Sequence, residues 1–250
     1  MKTGLTLKGL RHAYLGRTVL DHIDLEVSAS EIVALVGPSG SGKSTLVHLA
    51  ADLLTPIGGR VERNYKRHAM IFQEPRLLPW ATAAENIAYP LRISGTSRRE
   101  ARAKLKTVAA KVALQPEDLE KYPGELSGGM RQRCAIARAL IVAPDFIYFD
   151  EPFTALDVAL KRRMQDLVIA ATQSSSFGGI FVTHDLMEAA RVAHRVAVLD
   201  VGGAGIVGER LVPGTPGMRD DAAVFTLSQR WAREDPAFRH IHDVDERMSR

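Results

Sequence analysis

The stretch "EIVALVGPSGSGKST", Glu31 to Thr45, joins an apolar run to a glycine-rich loop and then to a helix-forming segment. From Gly37 onward it fits the pattern G-x-x-x-x-G-K-[ST], which requires a strand before it and a helix after it. The run "IVALV" has the length and composition of a buried strand, and a helix is predicted from Lys43 to about Leu54. The stretch therefore predicts a strand, a phosphate-binding loop and a helix in that order.

The residue types in this loop suit a nucleotide. Its glycines permit a curvature that turns several backbone N–H groups inward, Lys43 adds a positive charge near the terminal phosphates, and Ser44 offers a hydroxyl group to Mg²⁺. The predicted nucleotide-binding residues are Gly37, Pro38, Ser39, Gly40, Ser41, Gly42, Lys43, Ser44 and Thr45.

Further apolar runs alternate with helical patterns along the chain. The predicted strands are "GGRVER", "HAMIFQ", "FIYFD", "GIFVTHD" and "RVAVLDV". Between about Ala83 and Ala143 the strand pattern disappears, and Ser97 and Glu100 have the spacing of a capping box. This order predicts an α/β fold: a mostly parallel sheet covered on both faces, with a helical lobe inserted in it.

Beyond about Val212 the pattern weakens into turn residues, a charged tail and one short helix around Ala223 to Trp231. We expect this tail to be loosely attached.

Two predicted strands end in residues suited to hydrolysis. "FIYFDEP", Phe146 to Pro152, delivers two adjacent carboxylates at the carboxyl end of a strand, where ligands bind in open parallel sheets. Asp150 is predicted to reach the metal, and Glu151 to polarise the attacking water as a general base. His184 follows "GIFVT" at the same edge, where an imidazole can contact the γ-phosphate or orient the water. Without the glycine-rich loop, solvated carboxylates and a structural histidine would be the simpler interpretation.

Two further residues are weaker candidates. Gln73, after the strand "AMIF", offers a carbonyl oxygen that can ligate the metal and leave when the nucleotide changes. Tyr14, in "RHAYLGR", has a flat ring that can stack on adenine, and a core tyrosine is the competing interpretation.

Composition restricts the class of protein. The chain has 250 residues, 46% of them hydrophobic, which is enough for a large core. Its net charge of +4 gives no strong basic field, so nucleic acid is not a predicted partner. The single Cys134 excludes an internal disulfide and is predicted to be a buried thiol, in keeping with a reducing cytoplasm. We expect no secretory signal and no membrane span, because no sufficiently long apolar run is present.

Taken in order, "GPSGSGKST", the glutamine of "FQEP", "LSGGM", "FIYFDEP", "TALD" and "THD" resemble the nucleotide-binding subunit of ABC transporters over about residues 3 to 210. The resemblance implies a RecA-like P-loop NTPase core with an N-terminal antiparallel β subdomain and an inserted α-helical lobe. It implies an ATPase domain over 1–212, with the lobe at about 83–143, and a short C-terminal extension over 213–250.

The resemblance also explains a second anion-binding segment. Ser127, Gly128 and Gly129 belong to "LSGGM", the signature segment of the family, and lie at the start of a predicted helix, where N–H groups gather around an anion. In the family two subunits pair head to tail, so these three residues are implied to meet the γ-phosphate held by a second copy. Asp157 is implied to cross the dimer interface, and Gln73 to link the metal site to a membrane subunit. The implied cofactors are ATP and Mg²⁺.

"FQEPRLLPW", Phe72 to Trp80, resembles the subfamily that serves importers of nitrate, sulfonate, taurine and related solutes. Prolines bracket the apolar Leu77 and Leu78 beside Trp80, which makes a stiff apolar loop suited to holding a permease helix. The alternative is a loop that packs on its own helical lobe. The implied partners are permease subunits and, indirectly, a solute-binding protein, with the chain lying on the cytoplasmic face of the inner membrane.

Three positions depart from the family pattern. Met130 stands where many members have glutamine, Thr154 where serine is usual, and Ser30 where glycine is common. None of them removes a catalytic atom.

Other functions remain open at this point. An ATPase of an exporter or of lipid trafficking shares every motif named above. A chromosome-maintenance ATPase shares the signature, but the short distance between Gln73 and Leu126 leaves no space for a long coiled coil.

Overall fold

The computed structural model describes residues 3–175, 177–200, 205–238 and 241. The strands are β1 (Thr3–Tyr14), β2 (Arg17–Ser28), β3 (Ile32–Val36), β4 (Gly58–Arg63), β5 (His68–Ile71), β6 (Phe146–Asp150), β7 (Gly178–Val182), β8 (Arg195–Leu199) and β9 (Ile206–Leu211). The helices are α1 (Lys43–Ala50), α2 (Ala83–Ile93), α3 (Arg98–Lys111), α4 (Pro116–Leu119), α5 (Gly128–Leu140), α6 (Val158–Ser175), α7 (Leu186–Val192) and α8 (Asp221–Glu234). Within these ranges, no helix combines the length and apolar character needed to cross a bilayer.

The larger sheet has six strands in the order β5-β6-β7-β3-β8-β9. All neighbours pair in parallel except β9, which runs antiparallel to β8 at one edge. Strands β3, β6 and β7 are buried throughout, as the continuous apolar runs predict. The prediction of a mostly parallel sheet is confirmed. Strand β9 was not predicted, because its sequence "IVGERL" carries two charges and faces solvent at alternate positions.

Strand β3 contributes to two separate cores, because successive side chains of a strand face opposite sides of the sheet. Val33 and Leu35 join a cluster with β1, β2 and α1. Ile32, Ala34 and Val36 join a cluster formed with the helices of the lobe and with α6 to α8. The strand that leads into the glycine-rich loop is therefore held on both faces.

The smaller sheet is antiparallel, in the order β2-β1-β4. The inserted helices α2 to α5 come between β5 and β6 in the chain, where the lobe was expected. Helices α2, α3 and α5 begin at Thr82, Ser97 and Ser127, whose hydroxyl oxygens each accept the backbone N–H three residues further on. Cys134 on α5 is buried as predicted, and burial raises the pKa of its thiol to about 12.

Helix α1 ends at Ala50, four residues before the predicted end. Asp52 has a φ of 65°, in the left-handed region, where a helix commonly terminates. The backbone N–H of Leu53 then donates back to the carbonyl oxygen of His48 at 2.8 Å, which closes the helix end.

The expectation of a loosely attached tail is wrong for the part of the tail that is described. Helix α8 packs against α7, and its Val224 and Trp231 are buried in the large core. Trp231 stacks on Phe238 with ring centroids 5.1 Å apart. Arg210 of β9 donates two hydrogen bonds, of 2.7 and 2.9 Å, to the carboxylate of Asp235. Apolar packing and a bidentate ion pair thus fasten the segment to the sheet, while residues 239–240 and 242–250 lie outside the described residues.

Replacing Trp231 with alanine should lower the free energy of unfolding by about 3 to 5 kcal/mol, because a large buried side chain leaves a cavity. Phe225→Ala, on the exposed face of the same helix, should change it by about 0.5 kcal/mol or less. Denaturant unfolding of both variants measures the difference. Equal stability of the two variants would mean that the tail is loosely attached after all.

Candidate functional site

At two positions of the glycine-rich loop, neighbouring strands leave no space for a side chain. A Cβ atom on Gly37 would lie 2.3 Å from the carbonyl oxygen of Leu199, so no side chain fits there. Gly42 has a φ of 94°, and a Cβ atom on it would lie 2.9 Å from the side chain of Leu20. Close packing of β8 and β2 against this loop explains why both residues are glycine.

Two polar groups of the loop, Lys43 Nζ and Ser41 Oγ, have no carboxylate as a hydrogen-bond partner among the described residues. The buried Lys43 donates from Nζ to the carbonyl oxygens of Gly37 and Pro38, at 2.8 and 2.7 Å. Burial lowers the pKa of its ammonium group. Ser41 Oγ is buried and has no hydrogen-bond partner among the described residues. A cation, an unpaired hydroxyl and a helix N-terminus in one loop fit the oxygens of a nucleotide phosphate.

The residues predicted to hold the metal meet across the sheet edge. Ser44 Oγ donates to Asp150 Oδ1 at 2.8 Å, and the other carboxylate oxygen lies 3.6 Å from His48 Nε2. Burial raises the pKa of the Asp150 carboxyl, and the hydrogen bond from Ser44 opposes that rise. A hydroxyl and a carboxylate beside a phosphate loop are the oxygen ligands that Mg²⁺ prefers. Within the described part of the chain no group of three or more His, Cys, Asp and Glu side chains could hold a metal.

Glu151 leaves the end of β6 in a left-handed conformation, with a φ of 45°. This conformation costs a residue with a side chain about 1 to 3 kcal/mol, and such strain is typical of functional sites. The backbone N–H of Glu151 donates to the carbonyl oxygen of Val182, and its Oε2 lies 3.3 Å from His184 Nδ1. The adjacent carboxylates therefore reach different partners, with Asp150 beside Ser44 and Glu151 beside His184.

Two of the three departures from the family pattern lie near this site. Thr154 Oγ1 donates to the carbonyl oxygen of Glu151 at 3.1 Å and lies 3.5 Å from its Oε2, so threonine keeps the hydroxyl that serine would supply. Met130 donates its backbone N–H to Ser127 Oγ, and its side chain packs partly against the core. Thr154 thus keeps a hydroxyl group beside Glu151, and Met130 keeps the backbone N–H that Ser127 accepts.

The signature segment and the glycine-rich loop are held by different parts of the fold: the first begins α5 and the second begins α1. Ser127 is exposed at the start of α5, where Gly128 and Gly129 form the first turn. Helix α5 packs on α2, α3 and β5, whereas α1 packs on β6 and β7. Asp157 is also exposed and caps α6 by accepting the N–H of Leu160 at 2.9 Å. These residues present polar groups to the surface, available to a second molecule.

Gln73 and Tyr14 are both exposed. Among the described residues no hydrogen bond joins either of them to the glycine-rich loop, Asp150 or Glu151. Tyr14 is 47% exposed at the end of β1, so the interpretation as a core tyrosine is wrong.

The apolar loop after Gln73 is shaped by a residue that the sequence did not single out. Asn86 is fully buried on α2; its Oδ1 accepts the N–H of Leu78, and its Nδ2 donates to the carbonyl oxygens of Leu78, Ala81 and Thr82. Trp80 is 74% exposed at the tip of this loop. Leu77 instead packs partly against the large core of its own chain.

Gln132 connects the signature helix α5 to the segments that carry Gln73 and Glu151. It was not identified from the sequence. It is 1% exposed on α5, and its Nε2 donates to the carbonyl oxygen of Phe72 at 3.2 Å and to that of Pro152 at 2.8 Å. The first acceptor precedes Gln73 and the second follows Glu151, so the signature helix is bonded to the segments on both sides of the site. Gln132 is three residues before the buried Ala135, and this helical spacing was the available signal.

Glu188 connects the segment that carries His184 to α6, the helix that Asp157 caps. Its buried carboxylate accepts a hydrogen bond from Thr183 Oγ1 at 2.7 Å and an ion pair from Lys161 at 2.9 Å. Burial by itself would lower the pKa of Lys161. The hydrogen bond to Glu188 and the negative charge of its carboxylate outweigh burial, so the pKa of Lys161 is raised overall. From sequence, Glu188 resembles a capping residue of α7, because it follows Asp185 by three positions.

The family model described as ABC transporter matches residues 20–154. The aliphatic sulfonates import ATP-binding protein SsuB of Corynebacterium glutamicum is 41% identical over 81% of this chain and 82% of its own length. The taurine import ATP-binding protein TauB of Sinorhizobium fredii is 38% identical over 90% of this chain and 85% of its own.

Solved structures agree. The ATP-binding cassette MJ0796, in a dimeric post-hydrolysis state bound to ADP and Pi, superposes with a TM-score of 0.77 at 28% identity, covering 84% of this chain and 99% of that one. A second dimeric structure of MJ0796, described as a bacterial ABC transporter cassette, gives a TM-score of 0.78 at 29% identity, with the same coverage. These likenesses confirm the predicted α/β P-loop NTPase fold. The chain therefore belongs to the ABC transporter family.

Proposed function

We propose that this chain is the ATP-hydrolysing subunit of an importer for a small solute of the sulfonate or taurine class, working with a separate membrane permease. Membership of the ABC transporter family makes the chain an ATPase. The relatives named for sulfonate and taurine import support the direction of transport and the solute class. One observation carries the hydrolytic role: Ser44–Asp150 and Glu151–His184 form two polar pairs at the carboxyl edge of one parallel sheet.

Binding starts from the glycine-rich loop. Lys43 and the unpaired Ser41 hydroxyl bind phosphate oxygens, and Tyr14 stacks on the adenine ring. Ser44 and Asp150 would hold Mg²⁺, with Gln73 as a further ligand from the exposed loop after β5. A metal bound there would supply positive charge that offsets the charge of the phosphates.

Glu151 then acts as the general base. Its Oε2 accepts a proton from the attacking water, and His184, 3.3 Å away, holds the carboxylate and contacts the γ-phosphate side of the site. The left-handed backbone of Glu151 and its contact with His184 give this carboxylate a different partner from that of Asp150, which is bonded to Ser44.

We also propose that two copies pair head to tail around the nucleotide. The exposed Ser127 and the half-buried Gly128 and Gly129 meet the γ-phosphate bound by the other copy, and the exposed Asp157 crosses the interface. The dimeric state described for both solved MJ0796 structures supports this arrangement.

The permease contact is assigned to Trp80 and Leu78 on the loop shaped by Asn86, with Leu77 as a partly buried support. A groove of about 1000 Å³ opens in the lobe, and both apolar and basic side chains line it. Its lining includes Ala84, Arg98, Arg102, Leu105, Lys106 and Leu119. The permease places the subunit on the cytoplasmic face of the inner membrane, and a solute-binding protein delivers the solute.

Within the chain we assign 1–212 to the ATPase domain and 213–250 to a short extension. The buried contacts of α8 support an extension that is packed on the domain.

Changing Glu151 to glutamine keeps the shape of the side chain and removes its basicity. Turnover of ATP should fall by about 10²-fold or more, because proton transfer by a positioned base contributes at least that factor. ATP binding should persist, and a stable ATP-bound dimer should accumulate in size-exclusion chromatography. Glu117→Gln, an exposed glutamate of the lobe, is the matched control. Near-normal turnover of Glu151→Gln would refute the assigned base.

Trp80→Ala should weaken co-purification with the permease about tenfold or more, since exposed aromatic side chains often anchor interfaces. The ATPase activity of the isolated subunit should stay at the parent value. Met218→Ala, which removes an equally exposed apolar side chain from the extension, should affect neither property. Undiminished capture of the permease by Trp80→Ala would remove this contact from the account.

A further inference from the structure

His12 is a buried polar residue without polar partners. It is 7% exposed on β1, and neither Nδ1 nor Nε2 has a hydrogen-bond partner among the described residues. Leaving buried polar groups unpaired destabilises a folded protein, so an apolar side chain of similar size would pack here at lower cost. An imidazole at this position therefore points to a task other than filling the core.

The ring of His12 supports the ring of Tyr14. The two centroids lie 4.7 Å apart with an interplanar angle of 81°, the edge-to-face arrangement that aromatic pairs prefer. Within the described ranges, this is the only aromatic ring that Tyr14 contacts. Tyr14 is nearly half exposed, so one side of the tyrosine ring is supported and the rest is open to a ligand.

The backbone around the pair is also constrained. The register of β1 against β2 is irregular on both sides of His12, and such irregularities re-aim side chains near functional sites. Directly after Tyr14, Leu15 and Gly16 have φ angles of 48° and 80° and form a two-residue turn into β2. Turns of this type match the twist of the two strands and hold them tightly. With its backbone held by the strand and the turn, Tyr14 can change conformation mainly by rotating its side chain, which His12 contacts.

His12 lies on the same face of the hairpin as Leu20, a residue that packs on the glycine-rich loop. It pairs with Leu20 across the strands, and directly opposed residues share a face. The side chain of Leu20 lies 2.9 Å from the position of a Cβ atom on Gly42. The ring pair and the phosphate loop are therefore connected through one intervening side chain.

We propose that His12 is the positioning residue that holds the Tyr14 ring in the orientation needed to stack on a nucleotide base. This inference rests on the proposed binding of adenine by Tyr14. Stacking on an aromatic ring adds affinity, and ordering that ring before binding preserves the gain. His12 then affects the affinity for ATP and leaves the hydrolysis of bound ATP unchanged.

The test compares the dissociation constants of ATP and of inorganic triphosphate, which lacks the base and needs only the phosphate loop. Tyr14→Ala should weaken ATP binding about tenfold, and His12→Leu about three- to tenfold. The double variant should bind ATP no more weakly than Tyr14→Ala alone, because His12 acts through Tyr14. Binding of inorganic triphosphate should stay unchanged in all three variants. His12→Phe, which keeps an aromatic ring beside Tyr14, should restore the affinity for ATP.

The remaining outcomes separate the stacking role of Tyr14 from the positioning role of His12. Parent-like ATP affinity of Tyr14→Ala would remove base stacking itself, and the proposed role of Tyr14 with it. If Tyr14→Ala binds ATP more weakly but His12→Leu binds it with the affinity of the parent, only the positioning role would be overturned. The same would follow if the losses of ATP affinity added up in the double variant, or if His12→Phe bound ATP as weakly as His12→Leu. Weaker triphosphate binding by His12→Leu would show that His12 supports the phosphate loop, which also overturns the inference.

Discussion

The contact between Gly37 and the carbonyl oxygen of Leu199 determines where the chemistry can take place. A Cβ atom at Gly37 would lie 2.3 Å from that oxygen, so the loop after β3 passes its neighbour strand only as bare backbone. Because β3 is also packed between two cores, the loop leaves the sheet at a fixed place and delivers Lys43 and Ser44 to the carboxyl edge. Asp150 ends β6 and His184 follows β7, and both reach the same edge because the two strands are parallel.

Buried polar side chains connect this edge to the rest of the molecule. Gln132 bonds the signature helix to the segments next to Gln73 and Glu151, and Glu188 bonds the histidine segment to the helix after Asp157. Both sets of bonds are inside the protein, where losing a partner is costly. Hydrogen bonds thus join the lobe to the segment that carries Glu151, and a permease docked on the lobe, as proposed, would have this physical route to the ATPase site.

The sequence predicted those features that depend on local pattern. The strand, loop and helix around Lys43 and the carboxylates at the end of β6 are contiguous in the chain, so their residue types and spacing were sufficient. Strand β9 and the packing of α8 depend on contacts with distant elements. The tasks of His12, Gln132 and Glu188 likewise depend on which atoms lie opposite each side chain, and no spacing along one chain records that.

The central claim is that the loop of one copy and the signature of the other share one nucleotide, and mixing two inactive variants tests it most directly. Lys43→Ala disables the loop, and Gly128→Asp places a negative charge at the signature, where a Cβ atom meets no neighbour closer than 4.0 Å in its own chain. Each variant alone should be inactive. In dimers that combine one chain of each, one composite site is intact, so ATPase activity should return on mixing. A mixture as inactive as its components would contradict the shared site.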